Sequence, residues 1–134
     1  MSEENVEQVR RTIELWNSRD VDGALEIASD DIAMDWSNSI GPAKGVHRGK
    51  EGVRKFWMSF LDAFEVMHWD PKEVIELDAS RVLVVTHFQA RGRGSGIEVD
   101  ASGAQLWTVR DEKVKSVKLF QSKAEALEAA GLSE

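Results

Sequence analysis

Apolar residues recur every three or four positions through the first half of the chain, the spacing of amphipathic helices. The pattern predicts helices over residues 3–18, 21–28 and 50–66. The widest apolar stripe belongs to the third helix and consists of Val53, Phe56, Trp57, Phe60, Leu61 and Phe64. Between the second and third helices, residues 32–36 alternate as a short strand. Residues 37–49 hold three Gly and one Pro, which predicts a loop.

In the second half of the chain the apolar period changes to two, the period of a strand. Strands are predicted over residues 73–77, 81–91, 97–109 and 114–121, and Pro71 separates the first of them from the third helix. Residues 81–91 give the strongest signal, because β-branched residues dominate and both faces carry apolar groups. Such a strand is expected inside a sheet, with helices on one face and a partner subunit available for the other.

A short closing helix is predicted over residues 123–130, because Ser122 and Glu125 form a capping box and Gly131 follows. Helices gathered at the start and strands at the end indicate an α+β fold. The last four strands form an antiparallel meander that curls around the helices. The third helix then covers the concave face, and a pocket is expected where the curl leaves space.

Composition limits the function. A length of 134 residues suits one domain over residues 1–134, and a net charge of −7 argues against nonspecific binding to nucleic acid or to an anionic membrane. The absence of Cys excludes disulfides and a thiolate nucleophile. The acidic N-terminal sequence has no apolar run behind it and no stretch reaches transmembrane length, so a cytoplasmic location is predicted. No cofactor is implied.

The three histidines, His47, His68 and His87, share no spacing suited to metal ligation, so no metal site is predicted. His87 follows the pattern of Leu83 and Val85, which we assign to the convex face, where it is expected to meet a partner subunit. On the opposite face it would be the best general base for a pocket.

Asp35, next to Trp36, is the other candidate base, because a buried carboxylate with a raised pKa marks such a group. The alternative is an Asp that caps the following loop. Residues 91–96 (RGRGSG) superficially suggest a phosphate loop. They lack the P-loop lysine and no helix follows them, so a hairpin loop is the expected structure.

Four segments of the chain resemble the NTF2-like superfamily, in particular its SnoaL-like group. They are residues 17–23 (NSRDVDG), 28–36 (ASDDIAMDW), 45–57 (GVHRGKEGVRKFW) and 106–114 (LWTVRDEKV). The resemblance covers nearly the whole chain. It implies a cone-shaped α+β barrel in which three N-terminal helices pack on a curled, mostly antiparallel sheet and a short helix follows at the C-terminus.

Within this superfamily the ketosteroid isomerases offer a pattern of catalytic residues that the resemblance carries over. Their base carboxylate falls at Trp36, their first oxyanion-donating Tyr at Thr12, a supporting Tyr at Trp57, and their protonated Asp near Gln105. All four residue types are replaced, so steroid-isomerase chemistry of the usual kind is not expected.

The resemblance still implies a cavity, and six residues are expected to line it as ligand-binding positions: Thr12, Trp16, Trp36, Trp57, Gln105 and Trp107. Indoles with one amide and one hydroxyl suit an apolar or aromatic small molecule. The first hypothesis is therefore a pocket protein for such a ligand, forming a homodimer through the outer sheet face. The alternatives are an isomerase, cyclase or hydratase with Asp35 or His87 as base, and a dimeric scaffold whose indoles fill the core.

Overall fold

The computed structural model describes residues 2–39 and 44–132, which form ten elements of secondary structure. In chain order these are α1 (Ser2–Asn17), α2 (Val21–Ile27), β1 (Ala28–Asp35), β2 (Val46–Arg48), α3 (Gly49–Ala63), β3 (Phe64–Glu76), β4 (Arg81–Gly92), β5 (Glu98–Arg110), β6 (Lys113–Phe120) and α4 (Lys123–Ala129). The predicted α+β class is confirmed. Helices α1, α2 and α3 precede β3 without being consecutive, because β1, which corresponds to the strand predicted over residues 32–36, and the unpredicted β2 lie between α2 and α3.

All six strands form one sheet in the order β2-β1-β6-β5-β4-β3. The meander from β3 to β6 is antiparallel throughout, as the sequence predicts, and β1 joins it by a parallel pairing with β6. The helices α1, α2 and α3 cover one face of this sheet, and the main hydrophobic core lies between them and the strands. Among the described residues, no helix is long and apolar enough to cross a membrane.

Strand β3 is much longer than predicted, because it begins directly after α3 and continues through Pro71. Proline has no N–H to donate, so strands tolerate it where one side is unpaired. β3 is the edge strand beside β4, and its register shifts between Pro71 and Glu73. The apolar alternation before Pro71 therefore belongs to the strand, and α3 ends at Ala63 rather than at residue 66.

The free side of β3 is protected by α1. Asn17, the last residue of α1, donates a hydrogen bond from Nδ2 to the Trp69 carbonyl at 2.9 Å and accepts one from the Trp69 N–H at 2.8 Å. Arg19 donates to the Phe64 and Glu65 carbonyls at 3.0 and 2.8 Å. These bonds satisfy edge groups that would otherwise pair with another strand.

The two faces of β4 are buried by different partners. Val82 and Val84 point into the main core under the helices, whereas Leu83 packs on the other side with Ala104 and with Ala126 of α4. A homodimer through the outer face was predicted partly because Leu83 would otherwise be exposed, and that reason is wrong. The C-terminal helix covers this part of the outer face, and Leu83 is 0% exposed in the single chain.

Candidate functional site

A cavity of about 190 Å³ lies between α3 and the sheet, toward the end where β3 begins. Phe60 from α3 and Phe64 from β3 form one side of it. The remaining wall is Trp36, Ser39, Trp69, Thr86, Phe88, Val99, Ala101, Ser102, Gly103, Gln105, Leu119, Phe120 and Gln121. None of these described lining residues has a titratable side chain. The cavity is therefore an apolar, largely aromatic chamber with a few neutral polar groups.

The cavity exists because the side chains of β5 are small at this point of the sheet. Ala101, Ser102 and Gly103 follow one another there and pair with Phe88, His87 and Thr86 of β4. Small residues on the sheet leave unfilled the space that larger side chains occupy farther along the strand. The side chain of Ala101, on the same face as Phe88, is exposed, so the cavity meets solvent at this end.

Four indoles pack together beside the cavity, and one of them, Trp69, also lines it. Trp16 lies at the centre of this cluster, with ring centroids 4.8 Å from Trp57, 5.1 Å from Trp107 and 5.6 Å from Trp69. Tilted, stacked and edge-on contacts at these distances are favourable aromatic geometries. The filled-core hypothesis therefore describes this cluster, whereas the region beside Trp36 and Trp69 stays open.

Gln105 is the most deeply buried of the polar residues that line the cavity. It lies on β5 between Val84 of β4 and Leu119 of β6, and it is 0% exposed. Its Oε1 accepts a hydrogen bond from the Trp107 indole Nε1 at 3.0 Å. Its Nε2 has no hydrogen-bond partner among the described residues. A buried amide N–H without an acceptor is costly, so Gln105 lowers the stability of the fold at this point of the wall.

The structure places the six predicted ligand-binding residues in different parts of the core. Trp36 and Gln105 line the cavity. Thr12, Trp16 and Trp57 instead border a small void of about 10 Å³ under α1 and α2. The hydroxyl of Thr12 donates to the Gln8 carbonyl at 2.7 Å, one helical turn back.

Trp107 is fully buried in the indole cluster, where it orients Gln105. Trp69 and Phe88, whose ring centroids are 4.6 Å apart, are the most conspicuous lining residues that the sequence did not single out. Trp69 was missed because Pro71 was interpreted as a break, so the strand was predicted to begin only at residue 73. The alternation of Met67 and Trp69 was the available signal.

Asp35 does not line the cavity. Its Oδ1 accepts hydrogen bonds from the Ser37 N–H at 3.0 Å and the Ser37 hydroxyl at 2.6 Å, and Lys118 Nζ lies 3.7 Å from Oδ2. Partial burial raises the pKa of Asp35, but the bonds from Ser37 and the charge of Lys118 outweigh it, so the pKa lies below its ordinary value. Asp35 caps the loop after β1, which was the second of the two interpretations.

His87 lies on the outer face of β4, as assigned, and does not line the cavity. Its Nε2 is hydrogen-bonded to a carboxylate oxygen of Asp100 on β5. This bond lowers the pKa of Asp100. The imidazole is thus engaged on the far side of the sheet from the cavity, and neither candidate base reaches the cavity.

The loop after β4 supplies hydrogen bonds to the C-terminal end of α3. The guanidinium of Arg93 donates to the carbonyls of Leu61 at 2.9 Å and Phe64 at 3.2 Å, which belong to the last turn of α3 and the residue after it. A positive charge at a helix C-terminus also suits the helix dipole. Arg91 lies 3.6 Å from Glu65 in an exposed ion pair.

Taken together, the helix-covered curled sheet with a chamber under α3 defines a small α+β cavity protein. The SnoaL-like domain family matches residues 9–117, and the chain belongs to this family. Among proteins with curated descriptions, none matches.

Three solved structures illustrate the likeness. TerC, co-crystallised with polyporic acid, is 20% identical, with 93% of this chain and 96% of that chain covered and a TM-score of 0.76. A Mycobacterium tuberculosis protein in complex with estradiol-17beta-hemisuccinate is 14% identical, with 87% and 92% covered and a TM-score of 0.75. A candidate SnoaL-like polyketide cyclase from Jannaschia sp. CCS1 is 19% identical, with 96% and 92% covered and a TM-score of 0.76. At identities this low, the structural likeness shows a shared fold and does not show a shared activity.

Proposed function

We propose that this chain binds an apolar or aromatic small molecule in the cavity under α3. The observation that carries the proposal is a chamber of about 190 Å³ whose wall contains the rings of Trp36, Phe60, Phe64, Trp69 and Phe88. A flat ligand gains dispersion contacts and loses water-exposed apolar surface against such a wall. The neutral side chains of Ser39, Thr86 and Gln105 give the same wall its few polar groups.

Structures of the same fold support this proposal. TerC was crystallised with polyporic acid and the M. tuberculosis protein with a steroid ester, so the fold accommodates ring compounds in other chains. In the present chain, the open space occurs together with aromatic walls. The scaffold alternative, in which the indoles leave no room, does not explain the chamber beside Trp36 and Trp69.

Binding without catalysis is the function that the geometry supports best. General acid–base chemistry requires a titratable group within hydrogen-bond reach of the ligand. The described cavity wall contains none, and both candidate bases are engaged elsewhere, Asp35 by Ser37 and His87 by Asp100. An isomerase, cyclase or hydratase mechanism that uses either residue therefore has no geometric support here.

Ligand titration followed by tryptophan fluorescence tests the proposal. Trp36 and Trp69 line the cavity, and the other three indoles do not. We expect a saturable quench or spectral shift with a ring compound, reduced in Trp36→Phe and Trp69→Phe and retained in Trp16→Phe. Absence of any saturable response across a panel of single-ring and two-ring compounds would contradict the proposal.

A cavity-blocking variant gives independent support. Ala101→Phe adds a ring at a lining position, and Ile97→Phe adds a ring at an exposed position outside the wall. Binding should be lost in the first variant and kept in the second. Equal binding in both would mean that the ligand sits elsewhere.

We also propose a homodimer through the part of the outer sheet face that α4 leaves uncovered. Val85 lies there, half-buried, next to His87. Sedimentation equilibrium measures the oligomeric state directly. We expect Val85→Lys to yield monomers and Met58→Lys, at an exposed position on α3, to leave the dimer intact. A monomeric wild type would refute the dimer without affecting the cavity.

A further inference from the structure

We propose that the edge of β5 beside the cavity binds an extended peptide segment of a partner protein. The segment adds a strand to the sheet and places an aromatic side chain in the cavity, so the proposal rests on the proposed function. It begins with residues 98–103, here called the open edge. They pair with β4 on one side only, because β6 ends at Phe120, opposite Ala104. In the part of the chain that the structure describes, no other strand pairs with them.

The open edge offers a row of backbone groups. In an antiparallel pair, every second residue points both its N–H and its C=O away from the paired strand. On the open edge these groups point away from β4, toward the side on which β6 has ended. Glu98, Asp100, Ala101 and Ser102 are exposed, so solvent reaches this edge. Such a row is the template to which an added strand hydrogen-bonds.

The two long edges of the sheet are treated differently. On β3, Asn17 and Arg19 bond the backbone of the free side, and such cover keeps other strands from pairing there. Next to the open edge, β6 instead parts from β5. A Cβ on Gly103 would lie 3.0 Å from the Phe120 carbonyl oxygen, so the strands are still in close contact at that point. Their pairing stops there, beside the cavity.

The cavity opens along the same edge. Val99, Ala101 and Gly103 share one face of β5 and line the cavity. An added strand has alternate side chains on that face, so one of them lies at the cavity mouth. The cavity of about 190 Å³ is larger than the apolar cavity of about 150 Å³ that is known to hold benzene, so it admits a phenylalanine ring. Backbone bonds then provide affinity, and the cavity selects the side chain.

The outward row of the open edge carries two carboxylates, Glu98 and Asp100. The hydrogen bond from His87 lowers the pKa of Asp100, so this carboxyl is ionised at neutral pH. Glu98 is exposed opposite Arg91, whose guanidinium lies 3.6 Å from Glu65. Opposite charges on neighbouring strands attract each other. The occupant is therefore an extended segment in which basic residues alternate with apolar ones around a central aromatic residue.

Synthetic peptides test the proposal on the intact chain. The parent is acetyl-Thr-Val-Lys-Phe-Lys-Val-Thr-amide, and its binding is followed by calorimetry and by tryptophan fluorescence. Replacing its Phe by Ala should weaken binding at least about tenfold, because burial of the ring is lost. Replacing both Lys by Glu should weaken binding at least about threefold, because like charges then face each other. Equal affinities of all three peptides would overturn the proposal.

Backbone N-methylation isolates the added strand from the insertion of a side chain. Methylating both Val nitrogens removes donors from one side of an extended peptide, and methylating both Lys nitrogens removes them from the other side. One isomer should bind like the parent and the other at least about tenfold more weakly, because only one set faces β5. Equal binding of the two isomers would mean that no strand is added, which contradicts the proposal.

A charge reversal tests the location on the chain. Glu98→Lys should weaken binding of the parent peptide and strengthen binding of its Glu version, because the charge next to the added strand changes sign. Glu26→Lys, at an exposed position on α2, makes the same change of net charge and should alter both affinities much less. Equal effects of the two variants would place the peptide elsewhere.

Competition separates this proposal from the proposed function. Ethylbenzene fills the cavity without pairing with the edge, so it should compete with the parent peptide. If ethylbenzene binds and no peptide does, strand docking fails and the ring-binding function stands. If the peptide binds without competition, the cavity is not used and the proposal is overturned. If Glu98→Lys changes the oligomeric state in sedimentation while no peptide binds, a second copy occupies the edge instead. If neither probe binds, both proposals fail.

Discussion

Trp107 and Gln105 are two residues apart on β5, and the indole of the first fixes the amide of the second through a hydrogen bond of 3.0 Å. Strand residues at this spacing share a face, so a residue of the packed indole cluster also orients the polar group in the cavity wall. Trp107 therefore acts on the cavity through Gln105 without lining it.

Trp107→Phe should lower the free energy of unfolding by about 1–3 kcal/mol beyond the loss of ring volume, because Gln105 Oε1 is left buried without a donor. Urea denaturation of Trp107→Phe, Gln105→Met and the double variant measures the coupling between the two side chains. A coupling free energy near zero would mean that the bond contributes nothing to stability.

Asn17→Ala should lower the free energy of unfolding by about 1–3 kcal/mol, because two backbone groups of Trp69 on the edge strand lose their partners. Ser18→Ala is the control, since that hydroxyl donates to the Glu14 carbonyl within an exposed turn. Hydrogen exchange locates the effect: the Trp69 amide should exchange faster in Asn17→Ala alone. An unchanged Trp69 amide would argue against the clamp.

Arg93→Ala should destabilise the chain by about 1–2 kcal/mol, because carbonyls at the end of α3 lose charge-assisted hydrogen bonds. Arg91→Ala removes an exposed ion pair with Glu65 at 3.6 Å and should change stability by less than about 1 kcal/mol. Thermal unfolding of both variants makes the comparison. Equal losses would show that Arg93 acts only as a surface charge.

The fold was largely predictable because its signals are local. The apolar stripe of α3 and the two-sided strand around Val84 are repeated patterns that need no knowledge of distant residues. Strand β3 was only partly predicted, because the effect of Pro71 depends on whether a strand lies at the edge of the sheet. The three-residue β2 was missed, because it is defined by its pairing with β1 rather than by its own composition.

The site was less predictable than the fold. Matching to relatives placed Trp36 and Gln105 in the wall of the cavity but could not show that Trp16 and Trp57 pack against each other instead. Which indoles line a chamber depends on where small residues leave room. That property arises from the pairing of β4 with β5 near Gly103 and is not encoded in any single segment.

Leu83→Ala should cost about 2–5 kcal/mol, because Leu83 is fully buried between the sheet and α4. Val85→Ala, two residues along the same face, should cost less in the monomer because Val85 is only half-buried there. Unfolding measured at several protein concentrations shows whether Val85 also contributes to a dimer. If the outer face forms a dimer, the loss in Val85→Ala grows with concentration.

Acid should unfold the chain partly through Asp35. Its folded pKa lies below the ordinary value of 3.8, so ionised Asp35 contributes stability above pH 4, and this contribution is lost as pH falls through the folded pKa. Urea unfolding between pH 7 and pH 3 tests this. Asp35→Asn should be less stable than wild type at pH 7, and the difference should shrink toward pH 3.

The cause of the lowered pKa of Asp35 is testable through Ser37. Partial burial alone would raise this pKa, and the hydrogen bonds from Ser37 reverse the direction. Ser37→Ala removes the hydroxyl bond of 2.6 Å, so the folded pKa of Asp35 should rise and the loss of stability between pH 7 and pH 3 should be smaller than in wild type. Carboxyl carbon NMR titration follows the group directly. A pKa for Asp35 that is identical in wild type and Ser37→Ala would assign the shift to the Ser37 backbone N–H and to Lys118 instead.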